Sequence, residues 1–301
     1  MERNDTSMRT IATALILLLV QGCAFKQLRE DLSDFYADPE SVASRVVVDG
    51  PLQVSTLDAP AFTESVGRKG LWQPVSFIKE KRGGVYLLEA YDPAKIPVLF
   101  IHGAGGTPQD WRYFISQLDR SKYQVWVYTY PTGLPIDLSA GWLRSFVTEL
   151  HRQYGFQRLA IAAHSMGGLV ARRFIALDAG DAGRAYRTLL ATFSTPFGGV
   201  PAARLGLALG PYAVPAWRDL QPDSGFLRSL LTAALPASVH HHVFYGYRED
   251  GSSFDSDGVI SVASQLAAKA EGAHGFLTDH SDIIESAPVF KAFASVLAAF
   301  N

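Results

Sequence analysis

Ser165 stands in the run Ala163-His164-Ser165-Met166-Gly167-Gly168, between the apolar stretch Leu159–Ala163 and the helical run Leu169–Phe174. A strand, a sharp turn and a helix with serine at the turn form an arrangement that exposes a hydroxyl as a nucleophile. Strand and helix cross closely there, so the residues two before and two after the serine must be small. Gly167 meets that need, and Ala163 departs from the usual glycine by one methyl group. The N-terminus of the following helix also favours negative charge developing beside Ser165. Upstream, Val98–Ile101 runs into His102-Gly103-Ala104-Gly105-Gly106. A glycine-rich loop after a strand can aim backbone N–H groups at an oxygen that becomes negative during a reaction. The rival use of such a loop is phosphate binding. Gly103-Ala104-Gly105-Gly106-Thr107-Pro108 has neither the lysine of a P-loop nor the spacing of a dinucleotide fingerprint. Carboxylates at Asp255 and Asp257 and imidazoles at His274 and His280 follow later in the chain. An imidazole can take a proton from serine, and a carboxylate can fix its tautomer.

These residues need a scaffold, and the pattern from Ile96 onward supplies one. Strand candidates are Val98–His102, Val125–Tyr130, Leu159–His164, Leu189–Ser194 and Val243–Tyr247. Helix candidates are Gln109–Leu118, Ser139–Tyr154, Met166–Leu177 and Val289–Phe300. Near-continuous apolar strands separated by helices predict a mostly parallel sheet with helices on both faces. Its strand ends open toward one rim, where ligands bind in such sheets. Ser194-Thr195-Pro196-Phe197-Gly198-Gly199 ends a strand at that rim and is expected to shape a pocket. Residues 199–237, rich in Pro, Gly, Ala and Leu, break the rhythm and read as an inserted cap or as extra core packing. Val75–Ile78 and Val85–Glu89 flank Lys81-Arg82-Gly83-Gly84, which reads as a hairpin signal. The expected division is residues 1–22 as a signal segment, 23–70 as linker and lead-in, and 71–301 as the main domain.

The elbow Ala163–Gly168 resembles that of bacterial lipases within the α/β-hydrolase superfamily, and the resemblance covers roughly residues 96–301. It implies an α/β-hydrolase fold and a chain order of serine, acid, histidine. By that resemblance the oxyanion donors are the N–H groups of Ala104 and Met166. His102 precedes the serine and is expected to hold its loop through its ring. Asp257-Gly258-Val259-Ile260 resembles the family's acid loop, which assigns Asp257, with Asp255 as the alternative. The family's histidine lies in a loop before the last helix, which selects His280 over His274. The implied activity is that of a serine hydrolase on acyl esters, as in lipases, esterases and lipid deacylases. The same superfold also serves thioester and amide cleavage and acyl transfer. A non-catalytic binding module is the reading from another class. Met166, Phe197, Leu205, Leu207 and Trp217 flank the expected rim and favour an acyl or aromatic substrate.

The N-terminus reads as an address. Arg3 and Arg9 precede an apolar run, Ile11–Val20, then Leu19-Val20-Gln21-Gly22-Cys23. The run falls short of the roughly 20 apolar residues that span a bilayer. It has the layout of a secretory signal, and the placement of the single cysteine resembles a bacterial lipoprotein signal. That resemblance implies lipidation of Cys23, with Ala24 pointing to the outer membrane, facing the periplasm. Fatty-acyl chains would anchor the chain there, each buried methylene adding about 0.8 kcal/mol. A chain with one cysteine has no internal disulfide. The formal net charge of −2 and the lack of basic, aromatic-interleaved patches exclude nucleic acid as the expected partner. His240-His241-His242 does not predict a metal, because consecutive residues of an extended run point to opposite faces. No cofactor is called for.

Overall fold

A computed structural model describes residues 26, 28–33, 35–38, 54–80, 82–179, 186–207, 214–249 and 255–301. The signal segment, Cys23 and much of the lead-in lie outside the described residues, as do the side chains of Leu205 and Leu207. Seven strands form one sheet: β1 (Gly84–Leu87), β2 (Ile96–Ile101), β3 (Tyr123–Thr129), β4 (Arg158–His164), β5 (Arg187–Phe193), β6 (Val239–Tyr247) and β7 (Gly272–Leu277). Their order is β1-β3-β2-β4-β5-β6-β7. Only β1 runs antiparallel to its neighbour, with Gly84 opposite Thr129, and the remaining pairs are parallel.

Alternation along the central strands builds two cores, one on each face. Leu99, Ile101, Trp126, Tyr128, Leu159, Ile161 and Ala163 join the helices Ile136–Tyr154 and Met166–Asp178 in one apolar cluster. Their neighbours in sequence, Val98, Phe100, Val125, Val127, Ala160 and Ala162, join Arg112–Gln117 and Ala287–Ala299 in the other. Each large side chain buried this way contributes roughly 1.5–3 kcal/mol. The helix Ile136–Tyr154 stops at Gly155, whose φ of 61° is the left-handed cap that glycine adopts without penalty.

The hairpin expected around residues 81–84 does not form. Val75–Ile78 lies in the helix Pro74–Lys79. Pro74 occupies the helix start, where its missing N–H costs nothing. The carboxylate of Asp31 accepts hydrogen bonds from the Val75 and Ser76 N–H groups at 2.6 and 2.8 Å. That local capping overrides the β-rich composition, and the strand that follows pairs with β3 instead. The lead-in also contains the helix Glu64–Trp72, so the boundary drawn at residue 71 falls within a helix. The segment after residue 199 carries the short helices Ala202–Leu207, Pro215–Asp219 and Gly225–Thr232. Leu227 and Leu230 of the last are buried in the same core as the helix Met166–Asp178. Asp219 accepts from the Ile136 N–H at 2.8 Å. The described parts of this segment therefore join the core on one face of the sheet. No helix among the described residues is long and apolar enough to cross a membrane.

Candidate active site

Ser165 sits between β4 and the helix Met166–Asp178 with φ 52° and ψ −127°. A non-glycine residue there carries strain of order 1–3 kcal/mol, which surrounding contacts must offset. The Ser165 N–H donates to the Phe193 carbonyl at 2.8 Å, and the Gly168 N–H donates to the Ser165 carbonyl at 3.0 Å. The glycine two residues on is sterically required. A Cβ on Gly167 would lie 2.5 Å from the His102 carbonyl oxygen and 2.8 Å from that of Ile101. Ala163 is fully buried between β2 and β5, and its methyl is accommodated there.

From Ser165 a hydrogen-bonded line runs inward. His280 Nε2 lies 3.0 Å from Ser165 Oγ, and His280 Nδ1 lies 2.8 Å from Asp257 Oδ2. These partners assign the tautomer: Nδ1–H donates to the carboxylate, and Nε2 accepts from the hydroxyl. Asp257 is fully buried. Burial pushes its carboxyl upward. The His280 hydrogen bond and charge, with the Ile260 and Val259 N–H groups, outweigh burial and hold it below the usual carboxylate range. Those N–H groups reach Asp257 Oδ1 at 2.7 and 2.9 Å. The His280 N–H also donates to the Asp257 carbonyl at 3.0 Å, so acid and base loops are joined along the backbone. The structure brings Asp257 and His280 to Ser165 and leaves their alternatives elsewhere. Asp255 is exposed. His274 pairs with His242 at 3.2 Å and stacks on Phe244.

The loop after β2 runs directly beside Ser165. A Cβ on Gly103 would stand 3.0 Å from Ser165 Cβ. Its shape comes from Gly106 N–H donating to the Gly103 carbonyl at 3.2 Å and Gly105 N–H donating to Thr132 Oγ1 at 3.0 Å. A reciprocal capping box between Thr107 and Asp110 closes it. Ala104, the exposed residue of this loop, has an N–H without an acceptor among the described residues. Met166 is the first residue of its helix, where the N–H has no intrahelical carbonyl partner. His102 is buried, its Nδ1 2.9 Å from the Gly103 carbonyl and its ring stacked on Tyr130. Burial pulls its pKa down to about 4, so it is neutral near pH 7.

Two supporting residues have roles that no motif announces. His164 Nε2 donates to the His280 carbonyl at 2.9 Å. Burial, then the His280 charge, lowers the His164 pKa to about 3. Gln265, fully buried, accepts from the Gly246 N–H at 3.0 Å and donates to the carbonyls of Gly246 and Ile260 at 3.0 and 3.1 Å. It thereby ties the acid loop to β6. Both contacts span chain distances that no local pattern encodes, although His164, polar at the end of a buried strand, is a visible anomaly. Of the three consecutive histidines, His241 is buried and hydrogen-bonded to Thr192 Oγ1 at 3.1 Å, while His240 reaches Glu271 at 3.0 Å. Among the described residues no group of three or more His, Cys, Asp or Glu is placed to hold a metal.

No curated protein sequence matches the chain significantly. Solved structures share its fold. The mature lipase BlEst2 of Bacillus licheniformis superposes with a TM-score of 0.55 at 20% identity, covering 71% of this chain and 97% of that one. The lin2722 product of Listeria innocua gives 0.54 at 16% identity, covering 69% and 95%. The monoacylglycerol lipase of Paleococcus ferrophilus gives 0.51 at 14% identity, covering 72% and 99%. Residues 98–285, more than half of the sequence and the stretch that carries Ser165, Asp257 and His280, match the alpha/beta hydrolase family, and the chain belongs to that family.

Proposed function

We propose that this protein is a serine hydrolase that cleaves carboxylic esters of acyl substrates through an acyl-enzyme. The observation that carries the reading is the unbroken line from Ser165 Oγ through His280 to a fully buried Asp257. In the reaction Ser165 Oγ attacks the ester carbonyl while His280 Nε2 takes its proton. The carbonyl oxygen becomes negative and receives the Ala104 and Met166 N–H groups; losing one such donor costs about 3 kcal/mol of transition-state stabilisation. His280, now an imidazolium stabilised by Asp257, returns the proton to the departing alcohol. Water then gives a proton to His280 and attacks the acyl-enzyme, releasing the acid and restoring Ser165. Structural neighbours that bear the names lipase and monoacylglycerol lipase support an ester substrate. Met166, which follows Ser165 directly, is buried and apolar.

Lipidation at Cys23, anchoring the enzyme at the outer membrane and facing the periplasm, completes the proposal. It rests on the sequence Leu19-Val20-Gln21-Gly22-Cys23. A panel of p-nitrophenyl esters from short to long acyl chains tests the activity. Hydrolysis by the wild type and none by Ser165→Ala is expected. Equal rates in the two proteins, or no ester cleaved at any chain length, would overturn it. Cys23→Ser should release the protein from the membrane fraction, and continued pelleting with membranes contradicts the anchor.

A further inference from the structure

The helix Glu64–Trp72 lies before the stretch that matches the family, yet it presses on the loop that carries Ala104. At Gly67 the helix backbone meets the loop with no room for a side chain. A Cβ there would stand 2.5 Å from the Gly105 carbonyl oxygen, 2.7 Å from that of Gly106 and 2.8 Å from Thr107 Cγ2. Two of these neighbours are backbone atoms, which cannot rotate away, so any side chain at 67 must displace the loop. One turn on, a Cβ at Gly70 would meet its nearest atom, the Tyr130 carbonyl oxygen, at 3.4 Å, an ordinary contact. The loop is also held from its other side, by the segment after β3. Thr132, buried after β3, accepts the Gly105 N–H through Oγ1 at 3.0 Å. Gly105 has φ 69°, and the residue it follows is Ala104. The Ala104 N–H shares its peptide with the Gly103 carbonyl, which accepts the Gly106 N–H at 3.2 Å, so its direction follows from the stretch 104–106 that Gly67 and Thr132 hold on its C-terminal side. An oxyanion donor is effective only when it is fixed in place before the charge develops.

We propose that Gly67 and Thr132 are positioning residues that clamp the oxyanion loop from two sides, so that one point of the helix preceding the family match, Gly67, helps set the direction of the Ala104 N–H. The inference rests on the serine-hydrolase reading, with Ala104 as a donor. It separates from that reading because its variants leave Ser165, His280 and Asp257 untouched.

The test compares Thr132→Val, Thr132→Ser, Gly67→Ala and Gly70→Ala with the wild type on one p-nitrophenyl ester. The readouts are kcat, KM and the Ki of an alkyl boronic acid, whose tetrahedral adduct with the serine places an oxygen where the oxyanion forms. Thr132→Val removes the acceptor and keeps the shape. It should lower kcat about 10- to 100-fold, less than or equal to the loss of a whole donor, with KM within about twofold. The boronate Ki should rise by the same factor as kcat/KM falls. Thr132→Ser keeps the hydroxyl and should recover most of the rate. Gly67→Ala should behave like Thr132→Val, and Gly70→Ala like the wild type. If Gly67→Ala does not fold, the Val and Ser variants at 132 decide alone. Wild-type kcat and boronate affinity in Thr132→Val, or a loss confined to KM, would overturn the clamp while ester hydrolysis by the parent protein stands. A parent protein that neither cleaves esters nor binds the boronate would remove the reading beneath it.

Discussion

At the scale of residues, three side chains divide the proposed chemistry, and their geometry makes the division testable. His280→Ala removes the only imidazole within reach of Ser165 Oγ among the described residues. It should fold normally and lose several orders of magnitude in turnover. Asp257→Asn keeps the shape but favours the wrong tautomer of His280, which costs about 10⁴-fold in kcat where the same exchange has been made in a serine-histidine-aspartate triad. Circular dichroism alongside initial rates checks both, and near-normal turnover in either would contradict the assigned roles. His164 acts one step back, by holding the His280 carbonyl. His164→Ala should cost roughly tenfold in kcat by loosening the base. His164→Gln, whose amide can donate to the same carbonyl, should recover much of it. Ser165 was legible in the sequence because the elbow is written in consecutive residues. The pairing of His164 with His280 was not, since a hydrogen bond across 116 positions leaves no local trace.

At the scale of elements, the parallel strands and long helices followed from apolar runs and 3.6-residue periods, and their limits moved by only a few residues. Of the elements that escaped, two show the physical reason. Val75–Ile78 is β-rich in composition, but Pro74 and the distant Asp31 carboxylate start a helix there. Strand β7, Gly272–Leu277, contains two glycines and an alanine and shows no apolar run. It forms because β6 offers a free edge, and its side chains alternate between half-buried and exposed positions. That strand delivers the chain to His280, so the weakest sequence signal in the sheet precedes the residue proposed as the base. The acid loop depends in turn on Gln265. Gln265→Leu should cost about 1–3 kcal/mol, because the Gly246 N–H and carbonyl lose their side-chain partner and the Ile260 carbonyl is left with the Asp257 N–H alone. Urea unfolding measures this, and an unchanged midpoint would show that the loop needs no such tie.

At the scale of the whole molecule, two apolar cores sandwich the sheet and bury several ionisable groups in neutral form. Burial lowers the pKa of His102 to about 4 and of His164 and His241 to about 3. In the unfolded chain each returns to about 6.5. The unfolded state therefore binds more protons below pH 6.5. The stability these histidines contribute is fully present above that value and is lost as pH falls toward 4. Asp219 opposes them. Burial raises its pKa to about 6, so its contribution is lost as pH rises from about 4 to 6 and regained on acidification. Three groups outweigh one, and unfolding free energy should fall between pH 7 and pH 5. Equal or greater stability at pH 5 in urea titrations would contradict the neutral burial of these rings. The two-core architecture was visible in the near-continuous apolar runs of the central strands. The neutral histidines were not, because burial of a polar ring depends on what packs against it.

The central claim is that Ser165 is a nucleophile activated by its own hydrogen-bonded partners, and a fluorophosphonate reports on that directly. Intact-mass and peptide analysis of the treated protein should show a single phosphonyl group, carried by the peptide that contains Ser165. The adduct should be absent from Ser165→Ala and form far more slowly in His280→Ala. An unmodified wild type, or an adduct that persists on another residue when Ser165 is replaced, would contradict it.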